Sequence, residues 1–294
     1  NDDQLLGILV KMALVEKSLL ARDAVISALQ TLAYSKQNRI RLVTYKDGVV
    51  LEALKRTLSV DPDEKIRRRA AGTLTNLACD ETAEAMGNHR GLLEALAVVS
   101  TKDYNVDVQT RASLALTKIG SGINAKMPCF DTMLDALVVA SLSKTSNSVS
   151  TVLRIKAREP ENRQAMARHT GVLDTLSDIS VSAVGADRDN AMRALMHLVN
   201  DDQNRTAMCN KVILDALVTG SNLEDPTDSR DSAIRALERL ATEATNRPTM
   251  ARHEGLLQAV AKAVEREVKL EDAKVESEHG YLAKPLLMTL LLAM

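Results

Sequence analysis

Three histidines occupy one place in a recurring phrase: His89, His169 and His253 each stand two residues ahead of a glycine, at Gly91, Gly171 and Gly255. Imidazoles at a repeated position could ligate a metal or relay protons. Ligands of one ion must all lie about 2 Å from it, whereas copies of one position in successive packed helices sit roughly 8–10 Å apart. The histidine column therefore reads as structural repetition. The cysteines, Cys79, Cys129 and Cys209, are odd in number and far apart, with no CxxC or Cys/His cluster. They support neither a disulfide framework nor a zinc site, and they fit a reducing compartment. No HExxH, P-loop, GxGxxG or GxSxG signature occurs, and His253-Glu254 is not followed by a second histidine. The residue pattern thus offers no catalytic group, metal or cofactor. What it does offer is cationic. Lys118, Arg193, His197, Arg235 and Arg239 fall at two positions, four residues apart, in successive copies of a second phrase. Guanidinium forks at such positions suit carboxylate or phosphate, to which they donate two parallel hydrogen bonds.

Those phrases define the elements that must position the cations. The first reads NRIRLVTYKDGVVLEAL at 38, MGNHRGLLEAL at 86, NRQAMARHTGVLDTL at 162, NRTAMCNKVILDAL at 204 and NRPTMARHEGLLQAV at 246, with a weaker copy, KMPCFDTMLDAL, at 126. Anchored on Gly48, Gly91, Thr132, Gly171, Ile213 and Gly255, the copies are spaced 43, 41, 39, 42 and 42 residues apart. The second phrase carries an Ala-Leu-x-x-Leu core, with apolar pairs Leu29/Leu32, Leu74/Leu77, Leu116/Ile119, Leu195/Leu198 and Leu237/Leu240. Apolar residues three and four apart predict helix, not strand.

Each unit reads as three helices. The first is short and opens on an Asn such as Asn162, Asn204 or Asn246, a favoured N-cap residue. The second follows the anchor glycine, whose missing Cβ permits a sharp corner. The third carries the Ala-Leu core. Asp61-Pro62-Asp63-Glu64 and Asp225-Pro226-Thr227-Asp228 mark two of its starts, with Asp at the N-cap, Pro in the first turn and an acid at the third position. Met86, Met127, Met166, Met208 and Met250 share a column with Val43 and read as a core stripe. Arg22, Arg67, Gln109, Arg188 and Arg230 form another column, suited to interhelical packing or pairing. Thr145–Glu159 lacks the Ala-Leu core, which predicts a local irregularity. A charged insertion, Glu265–Glu278, precedes a last helix expected at about Tyr281–Met294, where Leu286, Leu287 and Leu290 continue the core pattern. The segment Leu286–Met294 is apolar on most faces, which suggests an oligomer or assembly contact.

A unit of about 42 residues, three helices and a Gly-apolar-apolar corner resembles the armadillo repeat family over nearly the whole chain. The resemblance implies an all-α fold: a right-handed superhelical α-solenoid of about six to seven three-helix repeats. It would form a single domain, 1–294, with units near 1–37, 38–80, 81–122, 123–160, 161–202, 203–244 and 245–294. It implies a non-catalytic scaffold or adaptor that holds an extended protein segment in a concave groove lined by the third helices. In importin-α, a member of the family, Trp and Asn side chains clamp basic peptides there. Only Asn76 matches that ladder, and the chain has no Trp.

The candidate groove residues are therefore Asn76, Lys118, Arg193, His197, Arg235 and Arg239, and the basic stripe calls for an acidic or phosphorylated segment. The alternative is a solvated ion-pair face. Asp189 and Asp231 precede Arg193 and Arg235 by four residues, a spacing that stabilises an exposed helix by only about 0.2–0.5 kcal/mol. With a formal net charge of −1 and only 2% aromatic residues, the composition argues against nucleic-acid binding. No apolar run reaches a membrane span. The reading is of an intracellular chain, cytoplasmic or nuclear, and a start at Asn1 without Met suggests a processed or excerpted piece.

Overall fold

The computed structural model describes residues 2–15, 17–143, 149–223, 228–272 and 283–291. The regular structure among them is helical, with no strand. The chain divides into two compact units, Asn1–Val152 and Leu153–Met294.

The first unit holds α1 (Asp2–Val15), α2 (Leu19–Tyr34), α3 (Lys36–Thr44), α4 (Val49–Val60), α5 (Glu64–Leu77), α6 (Asp80–Asn88), α7 (Leu92–Lys102), α8 (Val106–Gly122) and α9 (Phe130–Ser141). They pack as three parallel rows: α1, α4, α7 and α9 in succession, α2, α5 and α8 beside them, and α3 on α6. Helix α10 (Val149–Arg158) runs through the boundary. The second unit continues with α11 (Pro160–Arg168), α12 (Thr170–Ser182), α13 (Ala186–Val199), α14 (Asp202–Met208), α15 (Lys211–Ser221), α16 (Asp228–Thr242), a 3-10 turn at Ala244–Asn246, α17 (Arg247–Arg252), α18 (Leu256–Asp272) and α19 (Ala283–Leu291). Its rows are α12–α15–α18, α13–α16–α19, and α11–α14 leading to the 3-10 turn.

The core is built by the leucines that the repeat places. Leu29, Leu74, Leu77, Leu116, Ile119, Leu195, Leu198, Leu237 and Leu240 are fully buried. Each such side chain contributes about 1.5–3 kcal/mol on leaving water. Met86, Met166, Met208 and Met250 are also fully buried and Val43 nearly so, as a core stripe requires. Met127 is only half-buried. Its copy lacks the first helix, and turns occupy 125–129 instead.

The corners follow the glycines at three of four sites. Gly48, Gly91 and Gly255 have φ of 83°, 72° and 79°, the left-handed region that side chains with a Cβ avoid. Gly171 departs from expectation, because α12 starts at Thr170 and the glycine lies inside it.

The expected asparagine caps are corrected. Asn162 and Asn204 lie inside α11 and α14, and Asn246 makes no side-chain cap hydrogen bond. Their amides point back at the helix before. Asn162 Nδ2 donates to Lys156 O at 3.2 Å, Asn204 Nδ2 to Leu198 O at 3.0 Å, and Asn246 Nδ2 to Leu240 O at 3.0 Å. The next residue does the same. Nε of Arg163, Arg205 and Arg247 donates to the carbonyls of Ala157, Val199 and Ala241. A helix ends with four carbonyls lacking intrahelical partners, and the Asn-Arg pair satisfies two of them. Asn204 and Asn246 also donate to Arg163 O and Arg205 O, each about one repeat earlier, at 3.1 Å. The N-cap of α14 is Asp201, whose carboxylate accepts from the Gln203 amide. The N-cap of α5 is likewise Asp63, not Asp61. Asp61 ends α4 and pairs with Arg22 at 2.8 Å, while Arg67 pairs with Asp103 at 2.8 Å, so the first arginine column ties helices together. The second start predicted, at 225–227, lies outside the described residues.

Two further expectations shift. The stretch without the Ala-Leu core still forms a helix from Val149, while residues 144–148 lie outside the described residues. The charged insertion extends α18 to Asp272, and the last helix spans Ala283–Leu291.

Candidate functional site

Helix α10 explains why its unit looked degenerate. Asn162 and Asn204, 42 residues apart, donate to Lys156 O and Leu198 O, so Val152-Leu153 stands where Ala194-Leu195 stands and Lys156 takes the place of the core residue Leu198. Lys156 is only 3% exposed and lies 3.9 Å from Glu159. The same offset sets Thr151 against Arg193, Arg154 against Met196 and Ile155 against His197. The two cationic columns hold Thr151 and Ile155 in this unit, and its cations, Arg154 and Arg158, stand at other positions of the helix.

Three consecutive third helices of the repeat then converge. Arg154 and Arg158 from α10, Arg193 and His197 from α13, and Arg235 from α16 line one cavity of about 320 Å³. Met196, Ser232, Asp228 and Asp231 complete its wall. The ion pairs predicted within each helix do not form as expected. Arg193 reaches across to Asp228 of α16, and Asp189 instead accepts from the Ser229 hydroxyl. Asp231 lies 3.8 Å from its neighbour Arg230. Arg154 Nε is shielded from solvent and has no hydrogen-bond acceptor among the described residues. A buried donor left in that state costs about 1–3 kcal/mol, and more when charged. His197 has its pKa pushed below the ordinary imidazole value, first by burial and then by Arg163, Arg154, Arg158 and Arg193. Burial first, and then the positive field around it, disfavour the protonated imidazole.

The remaining candidates lie apart from this cavity. Arg239 is exposed in the last turn of α16 and does not line it. Asn76, half-buried on α5, and Lys118, exposed on α8, belong to the first unit. The Arg67-Arg68-Arg69 run is engaged internally with Asp103, Asp107 and Asp23.

The histidine column sits at the corners. His89 Nε2 is 3.9 Å from Glu52 and His253 Nε2 is 3.1 Å from Asp215. Among the described residues no group of three His, Cys, Asp or Glu side chains could hold a metal ion, and no helix is long and apolar enough to cross a membrane.

No family model and no curated protein matches the chain. Solved structures do. A designed armadillo repeat protein in complex with the peptide (KR)4 aligns with a TM-score of 0.58 at 18% identity, covering 80% of this chain and 99% of that one. A computationally designed armadillo repeat protein for modular peptide recognition gives 0.59 at 18% identity over the same shares. An engineered protein gives 0.58 at 20% identity, covering 98% of this chain and 78% of its own. At such identities the likeness is one of architecture. Together with three helices per unit and left-handed glycine corners, it gives this chain an armadillo-type repeat fold, an α-solenoid.

Proposed function

We propose that this chain is a non-catalytic scaffold, an adaptor that binds an extended acidic protein segment along its third helices. The reading divides the chain into the seven repeat units set out above. The observation that carries it is the cavity gathering four arginines and a histidine from α10, α13 and α16. One designed relative of this fold takes a lysine–arginine peptide; a cavity lined by arginine calls for the opposite charge. Arg193, His197 and Arg235 grip acidic side chains, with Arg154 and Arg158 added to the original set. Arg239 extends the set within the second unit, and Lys118 and Asn76 are the corresponding candidates on α8 and α5 of the first. Three free cysteines suit a reducing, intracellular setting.

Immobilised arrays of extended acidic, neutral and basic peptides test the reading. The wild-type chain should retain acidic peptides selectively. Arg193→Glu/Arg235→Glu/Arg239→Glu, verified as helical by circular dichroism, should lose them by at least about tenfold, mainly through faster dissociation. Equal retention by both proteins removes the stripe as the binding surface. One observation favours a second role as a subunit of a larger assembly: Met288 and Leu291 on α19 are 60% and 49% exposed. Sedimentation at rising concentration, with Leu287→Ser/Leu291→Ser as control, separates the two.

A further inference from the structure

The charge balance of the cavity narrows the cargo, on the reading that the chain binds a protein segment. Four guanidiniums, on Arg154, Arg158, Arg193 and Arg235, share the lining with two carboxylates, on Asp228 and Asp231. Asp228 is taken up by Arg193, and Asp231 lies against Arg230 on its own helix. Arg154, Arg158 and Arg235 have no carboxylate partner among the described residues. Summed over the described lining, four guanidiniums against two carboxylates leave a net charge of +2, and Arg154 Nε is buried with no acceptor among the described residues.

A single carboxylate from an acidic side chain neutralises one charge. A phosphate monoester carries about −1.5 to −2 and presents three acceptor oxygens. That matches both the excess charge and the number of arginines waiting for an acceptor. The size agrees, since about 320 Å³ lies at the small end of ligand pockets, which run about 300–1,000 Å³. Two carboxylates in the lining tolerate a compact dianion but oppose a broad anionic bilayer. Among the described residues no Phe, Tyr or Trp lines the cavity to stack a base. We propose that this cavity is a phosphate-recognition site for a phosphoserine or phosphothreonine of the bound segment, with Arg154, Arg158 and Arg235 as its donors.

The test uses the full chain and three oriented peptide libraries with a fixed central phosphoserine, glutamate or serine. The phosphoserine library should be retained about tenfold or more over the glutamate library, and inorganic phosphate should compete it away. Arg154→Lys keeps the charge but removes the Nε and the planar fork. It and Arg235→Gln, each with an unchanged helical signal, should cut the preference to about twofold or less. Equal retention of phosphoserine and glutamate libraries overturns the phosphate site while leaving the acidic-segment reading intact. A preference unchanged in both variants overturns the assigned donors. Capture of phosphoinositide vesicles with no peptide retained overturns the peptide source in favour of a lipid headgroup. Loss of all three libraries on the wild-type chain removes the scaffold reading itself.

Discussion

His89 lies against the corner at Gly48, where a Cβ would come within 2.9 Å of the imidazole Cδ2. Burial pushes its pKa down, Lys55 pushes the same way, and Glu52 opposes both. His197 is depressed for a similar reason, with arginines in place of the lysine. A histidine whose folded pKa lies below its unfolded value of about 6.5 takes up its proton more readily when unfolded. Its contribution to stability is complete above that pH and is lost as pH falls through it toward the folded pKa. Urea midpoints measured between about pH 7.5 and 5 should therefore decline, and His89→Gln should flatten the decline whatever it does to the midpoint at pH 7.5. An unchanged slope would show that His89 does not carry the effect. Residue-scale chemistry was only partly legible. Arg193, His197 and Arg235 could be placed from the Ala-Leu register, whereas Arg154 and Arg158 could not. Val152 replaces the Ala and Lys156 the last apolar residue of the core that sets the register in the other units, and neither arginine falls in the columns read from it.

At the scale of elements, the helices and their buried faces followed from periodicity, because three-and-four spacing of leucine has one cheap solution, a helix packed on helices. The ends of the helices were harder to read. Asparagine serves as an N-cap through its carbonyl oxygen and as a clamp on a preceding helix through its amide nitrogen, and the letter in the sequence is the same for both. Only the neighbouring helix decides. Asn204 is 4% exposed and holds both Leu198 O and Arg163 O. Asn204→Ala should remove a buried donor from two carbonyls and destabilise the chain by about 1–2 kcal/mol, about 1 kcal/mol per hydrogen bond, read as a shift of the urea midpoint. Asn204→Asp, which keeps the shape but lacks the donor, should be no better. A shift under about 0.5 kcal/mol in both would mean that water replaces the amide.

For the whole molecule, a formal net charge of −1 leaves little long-range field. On the proposed reading, attraction for an acidic segment comes from local cations such as the arginines of α10, α13 and α16 and acts within about a Debye length, roughly 8 Å at physiological salt. Raising sodium chloride from about 0.05 to 0.5 M should slow association and weaken binding on the order of tenfold, with dissociation changing less. A salt-independent affinity would point to apolar contacts. The asparagine bridges carry a different consequence. Because Asn204 and Asn246 each satisfy carbonyls in two successive repeats, the free energy that holds a repeat closed resides largely in its seams, as in a one-dimensional chain of coupled spins. No repeat in this stretch can open without exposing acceptors on its neighbour. Amide exchange across α11, α14 and the 3-10 turn before α17 should thus occur as one cooperative block, with fraying confined to wherever the array runs out of seams.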